Sequence, residues 1–230
     1  SEDGHMMAST TIQTPVNYQK GRKNIEEAAS HILSGQHAGS VALAVAGVLD
    51  KTNGMIVESP NLRDWQKKPL VKDIMSIAGS SSVILENDAA TAALGEAIYG
   101  VGKGKRIIAY LTLSTGVGGA RVGDGKIDAN AMGFEPGNQI IDVHETNEVA
   151  PFRLGTLESY ASGTAFAKVY GINPKMCVDS SIWQKYVKNL AAGIVNILVL
   201  WSPDVVVLGG GGSKSADKFL PLLRIEVAKN

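Results

Sequence analysis

Asn87 and Asp88 follow the apolar run Val83-Ile84-Leu85-Glu86 and open an alanine-rich stretch, residues 88–96. A carboxylate in that position sits at the carboxyl end of a strand and in front of a helix, where open α/β sheets bind their ligands. It can accept the proton of a substrate hydroxyl, as a general base must. Aspartate is equally one of the best helix N-caps, and capping is the commoner use of such a residue. Two glycine-rich turns offer a second kind of chemistry. Leu113-Ser114-Thr115-Gly116-Val117-Gly118-Gly119 joins a strand to a hydroxyl pair and a turn, whose N–H and O–H groups can face phosphate oxygens. The same residues also suit a tight hairpin. No Gly-Lys-Ser/Thr follows them and no helix opens there, so neither a P-loop nor a dinucleotide fingerprint is present. In Val207-Leu208-Gly209-Gly210-Gly211-Gly212 four glycines exceed what a turn needs, which favours close approach of backbone to a flat or phosphorylated ligand. Glu135, in Gly133-Phe134-Glu135-Pro136-Gly137-Asn138, and Glu158, in Thr156-Leu157-Glu158, complete the set. Taken singly, both read as structural or solvated acids, since an acid in a first helical turn is ordinary dipole chemistry.

Strands alternating with helices must hold these groups. Residues 40–46, 83–87, 107–113, 119–122 and 204–208 read as strands, the first two as continuous buried runs. Residues 10–12 read as a further short strand, and Lys51-Thr52-Asn53-Gly54 as a hairpin turn. Residues 24–33, 69–77, 88–96, 157–170 and 183–201 read as helices. In the last of them Val187, Leu190, Ala191, Ile194, Val195 and Leu198 form one apolar face. The class is therefore α/β with parallel or mixed sheets. A division near residue 102, in the glycine-rich linker 100–105, predicts a smaller α/β domain over 1–102 and a larger one over 103–230, with a ligand cleft between them.

The chain has 230 residues, 22 basic and 22 acidic side chains, and 44% apolar residues. That balance excludes a wholly disordered chain and gives no support to nucleic-acid binding by bulk charge. The single cysteine, Cys177, excludes an internal disulfide and a cysteine-built zinc site. The longest apolar run, residues 194–201, is too short to span a bilayer. No membrane partner is expected, and a cytoplasmic location is the default reading. His5, His31, His37 and His144 show no metal-ligand spacing, and Trp65, Trp183 and Trp201 read as packing residues.

In order along the chain, these segments resemble the ROK family of sugar kinases and sugar-responsive repressors. Pro60-Asn61-Leu62-Arg63-Asp64-Trp65 is similar to the family's Asn-Leu-x-x-Trp segment, and Glu86-Asn87-Asp88 to its Asn-Asp segment. Residues 113–119 resemble its second phosphate loop, and residues 204–211 its nucleotide-side glycine strand. Leu157-Glu158-Ser159-Tyr160-Ala161-Ser162-Gly163 resembles its Leu-Glu-x-x-x-Ser-Gly stretch. The resemblance implies the two-domain actin-like ribonuclease H fold and ATP-dependent phosphorylation of a hexose hydroxyl, with Asp88 as the base. It implies that Asn61, Asn87, Glu135, Asn138 and Glu158 contact the sugar. Ser114, Thr115 and Gly116 would contact the transferred phosphates, and Gly209, Gly210 and Gly211 the adenosine end. ATP with Mg²⁺, a hexose and a second copy of the chain are the implied partners. A repressor of the same family, or a sugar-binding protein without catalysis, is the alternative.

Three departures from the pattern carry expectations of their own. The family's opening Asp-x-Gly-Gly-Thr strand has no counterpart ahead of Thr11, so the smaller domain is expected without its first strand. Pro151-Phe152-Arg153-Leu154-Gly155 stands where the family has Cys-x-Cys-Gly, and Asn138 where it has a histidine. With no cysteine and no histidine there, no zinc is expected. The loop over 133–154 should be held by packing, through Pro151 and Phe152. At the other end, the chain stops where the family continues into an Asn-Asp-Ala-Gly helix.

Overall fold

A computed structural model describes residues 6–59, 61–144, 149 and 152–230. The chain divides into two compact units, residues 1–88 and 89–230.

In the first unit, helix α1 (Tyr18–Leu33) starts six residues earlier than its apolar spacing predicts, because Asn17 caps it by accepting the Lys20 N–H at 3.0 Å. Strand β1 (Val41–Val45) pairs in parallel with β4 (Val83–Asn87), Val45 lying opposite Asn87. Between them run the hairpin of β2 (Val48–Asp50) and β3 (Met55–Glu58) and helix α2 (Leu70–Ala78). Asp50 shapes the hairpin turn by accepting the Asn53 N–H at 2.9 Å, and Gly54 takes a positive φ of 67°. Tyr18, Ile56, Trp65, Leu70, Ile74 and Leu85 form the core. Two expectations fail here. β1 and β4 are not continuously buried: β1 alternates between half-buried and exposed residues, and Ile84 is 65% exposed. Residues 10–12 form no strand, lying in an exposed segment with no strand beside it.

The second unit is a three-layer arrangement around a four-stranded mixed sheet of order β7-β6-β5-β8. Its strands are β5 (Ile107–Leu113), β6 (Val117–Gly123), β7 (Lys126–Ile127) and β8 (Val205–Gly209), with β5 antiparallel to β6 and parallel to β8. The period of two along β5 separates the layers. Ile108 and Tyr110 pack with Ala90, Ala93 and Ala97 of helix α3 (Asp88–Ile98). Ala109, Leu111 and Leu113 face the larger core of α4 (Leu157–Ala161), α5 (Gly163–Tyr170), α6 (Ser180–Trp201) and α7 (Ala216–Ala228). This packing explains why the units divide after Asp88, whereas the sequence placed a boundary at 102. The alanine face of α3 belongs to the second core, and the 100–105 segment is a turn within that unit.

The single helix expected over 157–170 is two. At Ser162 the backbone turns extended (ψ 156°), and the Ser162 side chain caps α5 by accepting the Ala165 N–H at 3.0 Å. Among the described residues no helix is long and apolar enough to cross a membrane.

Candidate functional site

In the first unit, Asn87 ends β4 and Asp88 is the exposed first residue of α3. The strand end is pinned from two sides. Asn87 Nδ2 donates to the Gly47 carbonyl at 3.2 Å, while Glu86 Oε1 accepts the Asn87 N–H at 2.8 Å. Glu86 Oε2 in turn accepts from Lys51 Nζ at 2.6 Å. Gly47 has φ 120°, and a Cβ there would lie 2.3 Å from the Glu58 carbonyl oxygen, so this corner requires glycine. Asn61 is exposed on a loop anchored by Trp65, which is buried and donates its indole N–H to the Pro15 carbonyl at 3.1 Å. Pro60, part of the same motif, lies outside the described residues.

In the second unit, Ser114, Thr115 and Gly116 form the loop of the β5–β6 hairpin, closed by the Leu113–Val117 pair and a Ser114 N–H to Gly116 carbonyl bond of 2.9 Å. The two readings of this segment are thus compatible: it is a tight hairpin, and its hydroxyl-bearing residues are exposed. The Ser114 carbonyl accepts the N–H of Gly163, the first residue of α5, at 2.7 Å. Glu158, in the first turn of α4, is half-buried, and its Oε1 accepts the Val117 N–H at 2.8 Å. Burial holds its carboxyl above the ordinary carboxylate range, and the Val117 bond offsets part of that rise.

Glu135 precedes a 3-10 turn, Pro136–Asn138, and Asn138 ends it. Both are exposed, whereas Pro136 and Gly137 are buried against the start of β6. A Cβ on Gly137 would lie 2.0 Å from the Val117 carbonyl oxygen. The turn is stitched to α4 by the Leu157 N–H to Gln139 carbonyl bond (2.9 Å) and an Ile140–Thr156 bridge. It is tied to α6 by Asn196 Nδ2, which donates to Gln139 Oε1 at 3.0 Å. The structure thus brings Glu135, Asn138, Glu158 and the 114–116 loop onto three mutually packed pieces. Sequence reasoning passed over Gln139 and Asn196. An amide in the otherwise apolar second half of α6, residues 190–201, was the one available signal, and it does not name its partner.

The glycine run has reasons inside the fold. A Cβ on Gly209 would lie 2.2 Å from the Tyr110 hydroxyl, and one on Gly210 (φ 79°) 2.4 Å from Thr112 Oγ1. One on Gly212 would lie 2.9 Å from the Leu113 carbonyl oxygen. Only at Gly211 would a Cβ meet open space. Close approach at three of the four is therefore intramolecular, a second reason for glycine beside the ligand approach that the sequence suggests. Beside Gly212 lies a small, mostly apolar hollow whose lining includes Leu113, Ser162, Gly163, Phe166 and Phe219.

Comparison with known proteins gives this arrangement a family. Residues 1–230 match the ROK family. The chain belongs to it. It is 29% identical to the glucokinase of Thermotoga maritima over 260 aligned positions, covering 99% of this chain and 81% of that enzyme. It is 25% identical to the xylose repressor of Caldicellulosiruptor bescii, covering 80% of this chain and 53% of the repressor. A ROK glucokinase structure from Streptomyces griseus, in complex with glucose and AMPPNP, superposes with a TM-score of 0.80 at 24% identity, covering 100% of this chain and 83% of that one. The fold is thus the actin-like architecture of ROK sugar kinases.

The 133–154 loop is held in part by Asp142, which accepts from the Tyr160 hydroxyl, and by Val149, which is 2% exposed and whose carbonyl accepts the Phe152 N–H at 2.9 Å. Phe152 is half-buried, while Pro151 and His5 lie outside the described residues. Among the described residues no group of three His, Cys, Asp or Glu side chains could hold a metal ion. Adding chelator to the purified protein should leave its melting temperature unchanged. Stoichiometric zinc, lost together with stability on chelation, would overturn that expectation.

Proposed function

We propose that this ROK-family chain is an ATP-dependent kinase that phosphorylates a hexose hydroxyl. The reading is carried by one observation: the Asn87-Asp88 pair at the carboxyl end of β4, pinned through Gly47 and Glu86, in a chain of this family. Asp88 takes the proton of the attacking hydroxyl. Asn61, Asn87, Glu135, Asn138 and Glu158 hold the sugar, because amides and carboxylates accept from vicinal hydroxyls. Ser114, Thr115 and Gly116 receive the phosphates, with Gly209, Gly210 and Gly211 at the nucleoside end. Magnesium enters with ATP as part of the substrate, and phosphoryl transfer then depends mainly on positioning and electrostatics.

A coupled ADP-release assay across hexoses and amino-hexoses tests this. Turnover with at least one sugar is expected, and none with any sugar would sink the proposal. A repressor relative leaves a second role open to the same fold, and the balanced charge of this chain gives that role no support.

Glu158 adds a pH signature. Its carboxyl is raised in the folded state by burial, so hexose affinity should rise with pH through that raised value as the better acceptor forms. Stability should move the other way. The folded state binds the proton more tightly than the unfolded chain, so stability falls as pH rises from the ordinary glutamate range to the raised value. Glu158→Gln should weaken hexose binding and flatten both slopes. Titration calorimetry and denaturation across pH check this, and unchanged slopes in the variant would assign them to another group.

A further inference from the structure

Glu158 sits where two functions meet. Its Oε1 accepts the Val117 N–H at 2.8 Å, at the foot of the hairpin loop 114–116. A Cβ on the neighbouring Gly116 would lie 2.2 Å from that same oxygen, and the next atom it would meet is the Glu158 carboxyl carbon at 3.3 Å. Apart from its two chain neighbours, nothing else among the described residues lies within 4 Å of it. Gly116 does not have a positive φ, so its backbone admits alanine. The absence of a side chain at residue 116 is therefore required by one carboxylate and not by the turn. Because Glu158 ends in a flexible chain, an added methyl would be relieved by moving the carboxylate and leaving the backbone in place.

We propose that Gly116 is a determinant of hexose binding: it leaves the space in which Glu158 is clamped to the phosphate loop, and so couples the sugar side of the site to the nucleotide side. This rests on the reading of Glu158 as a sugar contact. In the clamped arrangement Oε1 is committed to the Val117 N–H, which fixes the direction of the other oxygen toward a ligand. Any ligand that shifts the carboxylate must also act on the Val117 N–H, and any phosphate group that reshapes the loop must act on the carboxylate. The coupling is reciprocal by thermodynamic necessity.

The test is hexose binding to the full chain by titration calorimetry in the absence of nucleotide, using the sugar that turns over fastest. Gly116→Ala should weaken hexose binding about tenfold or more, as expected when a charge-assisted hydrogen bond is lost, although no nucleotide is present. Gly95→Ala is the control, since Gly95 is exposed on α3 and a Cβ there would meet open space. It should bind within about twofold of wild type, the range of surface-like substitutions. In the double variant with Glu158→Ala, Gly116→Ala should add little further loss, because both act on the same group. Circular dichroism should show Gly116→Ala folded. Wild-type affinity in Gly116→Ala, or losses that simply add in the double variant, would overturn the coupling while leaving the kinase reading intact. A wild-type protein that binds no hexose would overturn the kinase reading, and this inference with it.

Discussion

Asp88→Asn should lower turnover by about two to four orders of magnitude, the usual contribution of a positioned general base, while hexose affinity stays within about tenfold of wild type. The amide keeps nearly the same volume and still donates and accepts hydrogen bonds, but it cannot take up the hydroxyl proton at neutral pH. Asp88 is exposed at the first position of α3, so the exchange opens no cavity and should not unfold the chain. An acid in the first turn favours the helix dipole by only about 0.3–1 kcal/mol at an exposed site. That difference separates the two uses of this residue. A cap would show its loss in the melting curve, and a base in kcat. Turnover at the wild-type rate with weakened sugar binding would reverse the assignment.

Phe166→Ala should be the most destabilising single substitution considered, at about 3–5 kcal/mol, the range for truncating a buried aromatic. Phe166 is 1% exposed, with ring centroids 4.9 Å from Tyr170, 4.8 Å from Trp183 and 5.4 Å from Tyr186. Trp183 stacks in turn on Phe219 at 5.6 Å. The cavity left behind would be ringed by rigid aromatics that cannot collapse into it. Phe166 lies on α5, whose first N–H is bonded to the Ser114 carbonyl, so nucleotide affinity should fall along with stability. Denaturant unfolding measures the first effect and nucleotide titration the second. A loss below about 1 kcal/mol, the level of a tolerated volume-conserving swap, would mean that the cluster repacks freely.

Much of the fold is legible in the residue order. The hairpin at residues 51–54, the strands at 83–87 and 107–113 and the helix from Asp88 all lie where local pattern places them. Local pattern failed where a distant partner decided the outcome. Residues 157–170 have helical spacing throughout, yet the chain breaks at Ser162, where the Gly163 N–H turns to the Ser114 carbonyl. Residues 10–12 have strand-like composition and no strand to pair with. Ile84 sits in an apolar run and is nevertheless 65% exposed.

By itself the sequence determined the α/β class, the identity of the Asn87-Asp88 corner and the likeness to ROK proteins, because periodicity, turn chemistry and motif order are local properties of the chain. Only the tertiary structure decided what the glycines are for and what Glu158 holds. The Glu158–Val117 bond spans 41 residues, and the Asn196–Gln139 bond spans 57. Gly209 is required by the Tyr110 hydroxyl, Gly137 by the Val117 carbonyl and Gly116 by the Glu158 carboxylate. A missing side chain records that something comes close, and only the packed chain says which atom it is.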